Sequence, residues 1–94
     1  MSNDKKLNEI LNEFANQKPF RQKLVLQRIE RIWNEEMGEM ITKYTDQIYL
    51  RKHTLVIQVT SSALRHQLVL SKEKIIQKLN FALGEEYIED ILVY

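Results

Sequence analysis

The stretch Leu55–Leu68, LVIQVTSSALRHQL, decides how the rest of the chain is placed. Leu55, Ile57 and Val59 alternate with Val56, Gln58 and Thr60, a period of two that predicts a strand. Its Cβ-branched residues favour a pleated, half-buried surface. Ser61 and Ser62 then stand where a helix N-cap is wanted, because a serine hydroxyl accepts the orphan N–H groups of a first turn. From Ala63 the period becomes helical, with Leu64 and Leu68 one turn apart. A strand that hands over to a helix in two residues sets the angle between a sheet and its covering layer.

Moving toward the C-terminus, the helix is expected to run from about Ser62 to Leu83. Leu64, Leu68, Ile75, Leu79 and Leu83 lie on one face. Ser71 is a point where it kinks or is recapped, so one long helix and two short ones are both open. On a continuous helix Arg65 and Lys72 share one outward face, and Gln67, Lys74 and Lys78 share another. Gly84 stands where a left-handed residue ends a helix. Tyr87–Tyr94 reads as a last strand, with Ile91 and Val93 inward, parallel to a neighbour through a crossover.

Toward the N-terminus, Asp46–Arg51 reads as a strand antiparallel to Leu55–Thr60, with Ile48 and Leu50 inward and Tyr49 outward. The turn Arg51–Thr54 contains no Gly or Asn, which predicts a loop wider than a two-residue type I′ turn. Before it, Val25, Ile29, Ile32, Trp33, Met37, Met40, Ile41 and Tyr44 form one apolar stripe on a helix opening near Phe20, with Pro19 in its first turn. Gly38 interrupts that stripe at a cost of roughly 1 kcal/mol relative to alanine, marking a break or a close backbone approach. Trp33, the single tryptophan, is expected to be a core anchor. Leu7, Ile10, Leu11 and Phe14 predict a short first helix, capped by Asn3 or Asp4 after frayed residues 1–4. That helix is a lid on the core or an arm that docks a partner. The order is α-α-β-β-α-β, a small two-layer α+β domain over residues 1–94 with a three-stranded sheet covered by helices.

With 94 residues, 44% hydrophobic and 29% charged, the chain suits one globular domain with a single modest core. No cysteine is present, which excludes disulfides and thiolate chemistry and fits a reducing compartment. MSNDKKLNEI has no apolar signal region, and no apolar run approaches the roughly 20 residues of a membrane span, so a cytoplasmic location is expected. The two histidines, His53 and His66, have no metal-ligand spacing, and Gly38 and Gly84 are too far apart for a phosphate loop. Glu35/Glu36 and Glu85/Glu86 read as solvated acids rather than an acid–base pair, which needs burial to separate two pKa values. No catalysis, cofactor or metal is expected.

Charge is segregated although the net is only +1. Lys18, Arg21, Lys23 and Arg28 occur without an acid among them, and Arg51, Lys52, Arg65, Lys72, Lys74 and Lys78 are offset only by Glu73. The acids gather at Glu35, Glu36 and Glu39 and at Glu85, Glu86, Glu89 and Asp90. Such segregation makes a basic face on a nearly neutral protein. Arg51, Lys52, Arg65, Lys72, Lys74 and Lys78 are the expected phosphate contacts, with Tyr49 as a stacking surface beside Arg51. No GxxG loop and no paired aromatic motif of the RRM type occurs. The alternative is a protein–protein adaptor that docks through Val56 and Tyr49 on the sheet.

An ordered series of residues resembles the DciA-like family: Trp33-x4-Gly38, Ile41, Tyr44-Thr45, Leu55-x-Ile57-x-Val59, Ser61-Ser62-Ala63, Gln67-Leu68, Leu79-Asn80, Leu83-Gly84 and Ile91. The resemblance covers about residues 25–94. It implies a KH-like α+β domain, interaction with a replicative DnaB-type helicase in DNA replication initiation, and nucleic-acid binding, with no catalytic residue or cofactor. Two features depart from the family pattern. The sequence stops at Tyr94 where many relatives carry a helical or disordered extension, and Leu64 stands where an aromatic is common.

Overall fold

A computed structural model describes residues 18–94. The elements are α1 (Lys18–Glu36), α2 (Gly38–Tyr44), β1 (Thr45–Arg51), β2 (Thr54–Val59), α3 (Ser62–Leu70), α4 (Lys72–Leu83) and β3 (Asp90–Val93). The short first helix expected around residues 7–14, its cap and the frayed residues 1–4 lie outside the described residues.

The Leu55–Leu68 corner forms as the sequence dictates. Ser61 has extended backbone angles, and its Oγ accepts the Leu64 N–H at 3.2 Å, so the cap of α3 is in place. The sheet order is β1-β2-β3, with β1 antiparallel and β3 parallel to β2. Cross-strand partners Ile48 and Ile57, Leu50 and Leu55, Leu55 and Ile91, and Ile57 and Val93 stand on the inner face. Val25, Ile29 and Trp33 of α1, Leu64 and Leu68 of α3, and Ile75, Leu79 and Leu83 of α4 close over that face in one core. Trp33 is fully buried, and its Nε1–H donates to Thr45 Oγ1 at 3.1 Å. Thr45 Oγ1 donates in turn to the Ile41 carbonyl at 2.7 Å, tying α1, α2 and the start of β1 together.

Several expectations change. Val56 is completely buried rather than exposed, so it offers no docking face. β2 is the central strand, and Val56 lies between Tyr49 on one neighbour and Leu92 on the other. Tyr49 does face away from the helices, half-buried. The apolar stripe of the second helix breaks at Gly38, whose φ of 84° is left-handed. The new helical phase carries Ile41 to the core and leaves Met40 76% exposed. A similar break at Ser71 (φ −99°, ψ 11°) separates α3 from α4. Arg65 and Lys72 therefore lose the common phase that one continuous helix would have given them. Lys74 and Lys78 keep theirs within α4.

The turn between β1 and β2 is also tighter than expected. Arg51 pairs with Thr54, leaving a two-residue loop, Lys52-His53. Lys52 takes φ 57°, and His53 does not share a positive φ, which distinguishes the loop from type I′. Finally, β3 starts at Asp90 rather than Tyr87. Asn80, buried in α4, donates through Nδ2 to the Ile88 carbonyl at 2.9 Å and accepts the Ile88 N–H on Oδ1 at 2.8 Å. Those backbone groups are thereby withdrawn from strand pairing. Gly84 closes α4 in the left-handed conformation, φ 78°, with its N–H and that of Glu85 bonded back to the Asn80 carbonyl.

Candidate nucleic-acid interface

The hairpin tip is held from three sides. A non-glycine residue with positive φ is strained by about 1–2 kcal/mol, and at Lys52 tertiary bonds offset this. The Lys52 carbonyl accepts from Gln22 Nε2 at 3.3 Å. The His53 carbonyl accepts the Glu89 N–H at 2.9 Å. His53 Nδ1 lies 2.9 Å from the Tyr87 carbonyl. A carbonyl only accepts, so Nδ1 carries a proton and donates. The His53 and Tyr87 rings meet edge to face with centroids 4.8 Å apart. The Arg21 guanidinium lies 5.9 Å from the Tyr87 ring centroid and is ion-paired with Glu85. Burial raises the Tyr87 hydroxyl above its ordinary pKa, Arg21 opposing this and Glu85 adding to it. Arg21, Gln22, Lys52, His53 and Tyr87 line a recess of about 470 Å³ beside the tip.

Arg51 and Lys52 stand on this tip, exposed and without an ion-pair partner among the described residues. Lys72, first residue of α4, reaches the same end of the sheet. Its Nζ lies 2.8 Å from Asp90 Oδ1, and Asp90 is the register partner of Thr54. The hydrogen bond from Lys72, with a smaller one from the Ile91 N–H, holds the Asp90 carboxyl below its ordinary pKa.

The other residues expected at a site are not gathered there. Arg65 is one turn from Ser61, near the opposite end of β2. Lys78 leans to the C-terminal end of α1, 3.6 Å from Glu36. Lys74 is exposed and without an ion-pair partner among the described residues. Tyr49 is half-buried across from Val56. Arg21, His53 and Tyr87 were not among the expected site residues. The basic run 18–28 was the available signal for Arg21. The joining of His53 to Tyr87 spans 34 positions and has no local signal.

At the other end of the sheet the surface is apolar. Met37, Met40, Ile41, Tyr44, Ala63 and Leu64 line most of a recess of about 620 Å³ between α2 and the start of α3. The Thr60 N–H donates to the Tyr44 carbonyl at 2.9 Å, holding its two sides together. Among the described residues every buried side-chain N or O atom has a hydrogen-bond partner, and no group of three metal-ligating side chains occurs. No helix there is long and apolar enough to cross a membrane. The arrangement offers exposed cations at one end and an apolar recess at the other, which suits binding of an anionic chain and of a second protein.

No curated protein and no solved structure matches the chain. A family model described as Dna[CI] antecedent, DciA, matches residues 6–93, nearly the whole length, and the chain belongs to that family.

Proposed function

We propose that the protein is a non-catalytic, nucleic-acid-binding accessory of the replicative helicase, with a KH-like domain. Family membership implies a helicase-loader-like role in replication initiation. The observation that carries the nucleic-acid half is the hairpin end, where Arg51 and Lys52 are exposed at an anchored turn, without an ion-pair partner among the described residues, and Lys72 stands close by. Arg51, Lys52 and Lys72 make the central phosphate contacts. Arg65, Lys74 and Lys78 extend the cationic surface around them, and Tyr49 stacks beside Arg51. An exposed pair such as Lys78–Glu36 contributes only about 0–1 kcal/mol, so a phosphate displaces the carboxylate at little cost.

Binding of a single-stranded oligonucleotide at rising salt tests this directly. Affinity is expected to fall steeply, with a slope in log K against log salt of about 0.7 per phosphate neutralised. Absence of binding at low salt rejects the nucleic-acid half. The helicase, of the DnaB type, docks on the apolar recess at the other end, where Met40 is 76% exposed. Capture of that helicase should survive nuclease treatment. A purely adaptor role would show undiminished capture together with no oligonucleotide binding at all.

A further inference from the structure

We propose that Phe81 is a base-stacking residue for single-stranded nucleic acid, at the end of a cationic track on the outer face of α4, a proposal that rests on the nucleic-acid reading above. Phe81 is 90% exposed, the most exposed of the large apolar side chains in the described residues. Its helix does not lack a core face: Ile75, Leu79 and Leu83 are all buried. Lys74, Lys78 and Phe81 are separated by four and three positions, so they stand one above another on the opposite side, all exposed. Gln77 lies beside them, also exposed.

That neighbourhood separates a nucleic-acid platform from a protein docking face. A docking face presents several contiguous apolar side chains with charge kept to its rim. Phe81 lies beside Gln77 and in line with Lys74 and Lys78 on α4. A ring next to cations matches a base stacked on its π-face with the adjoining phosphates on lysine, and stacking of this kind tolerates any base. The acids nearby set the direction of the strand. Glu85 and Glu86 flank the ring on its C-terminal side, where they join Phe81 around a recess of about 500 Å³. Glu85 is held by Arg21 and Lys78 is shared with Glu36. The strand therefore runs from Phe81 toward Lys78 and Lys74, away from Glu86.

Fluorescence anisotropy of a labelled oligothymidylate with the full chain provides the test. Phe81→Ala is expected to weaken binding at least fivefold at fixed salt while leaving the salt slope unchanged, because it removes a stack and no charge. The double change Lys74→Ala/Lys78→Ala is expected to weaken binding and also to lower the slope by about 1.4. Phe81→Trp should keep the affinity and report binding by quenching of an exposed indole, against the buried Trp33 background. Phe81 packs outside the core, so circular dichroism should show the Ala variant folded. Equal affinity of Phe81→Ala and the unaltered chain overturns the proposal. So does loss of helicase capture with oligonucleotide binding intact, which would make this a protein-docking residue. If the unaltered chain itself fails to bind at low salt, the nucleic-acid reading falls and this proposal with it.

Discussion

At the hairpin end of the sheet, the two-residue turn Lys52-His53 is gripped by Gln22, Tyr87 and Glu89, and Arg51 and Lys52 have no ion-pair partner among the described residues. At the opposite end, the Thr60 N–H and Oγ1 both donate to the Tyr44 carbonyl, and Met40 and Tyr44 are left open to solvent. The first end invests polar tertiary bonds in holding cations still. The second is also tied by hydrogen bonds, through the Trp33–Thr45–Ile41 relay beneath it, but presents apolar surface in place of cations. Fixed charges suit a flexible anionic strand, because order already present in the protein is not lost again on binding. A recess with an adaptable methionine at its edge suits a protein surface.

The strongest way to break this contrast is through Asn80, which carries the loop that anchors the hairpin. Asn80→Ala leaves the buried Ile88 N–H and carbonyl without partners and is expected to cost about 2–4 kcal/mol, read by urea unfolding. Asn80→Asp keeps the acceptor for the Ile88 N–H but sets a buried carboxylate oxygen against the Ile88 carbonyl, and should cost at least as much. Met40→Glu places a charge in the apolar recess. It should weaken helicase capture by about 2 kcal/mol, or 30-fold, while oligonucleotide affinity stays within twofold; equal effects on both would show that the two ends are not separate. Arg51→Ala/Lys52→Ala should weaken oligonucleotide binding about tenfold and lower its salt slope by about 1.4, with helicase capture unchanged.

Smaller changes act at the hairpin end alone. Lys52→Gly relieves the positive φ of the turn and should raise stability by about 0.5–1 kcal/mol in thermal unfolding while still weakening oligonucleotide binding. The two effects have opposite signs because the strain and the charge reside in one residue. Asp90 is the mildest case. Its carboxyl has a lowered folded pKa, so its contribution is fully present above the unfolded value and is lost as pH falls through the folded one. With the side chain 54% exposed, solvent screening limits this to a few tenths of a kcal/mol, on the order expected of a surface pair. Asp90→Asn should flatten the acid limb of the stability profile by that amount and free Lys72 for phosphate.

Much of the fold is legible in consecutive residues. The period of β2, the Ser61 cap, the switch of period at Ala63, the Gly84 stop and the burial of Trp33 each follow from local spacing. The two breaks at Gly38 and Ser71 are signalled by residue type, but their effect on phase is not. Losing one phase exposed Met40, and losing the other parted Arg65 from Lys72. Val56 looked outward by alternation, yet it is fully buried on a central strand with Tyr49 and Leu92 as its neighbours on either side. The candidate site was partly legible as a list of cations, without its arrangement. Phe81 could have been found from its three- and seven-residue spacing to Lys78 and Lys74, since it falls off the Ile75–Leu79–Leu83 face.

Local spacing determined the order of the elements, the caps at Ser61 and Gly84 and the inward faces of β1, β2 and α4. These depend on interactions within one helix turn or between alternate residues of one strand, and such neighbours are neighbours in sequence. Tertiary structure decided which cations of the described residues are engaged: Lys72 with Asp90, Lys78 with Glu36, Arg21 with Glu85. It also decided that a turn with no glycine is tight, because Gln22 and Glu89 bond the carbonyls of Lys52 and His53. Those partners lie 30 or more residues away, and only a folded chain brings them within hydrogen-bonding reach.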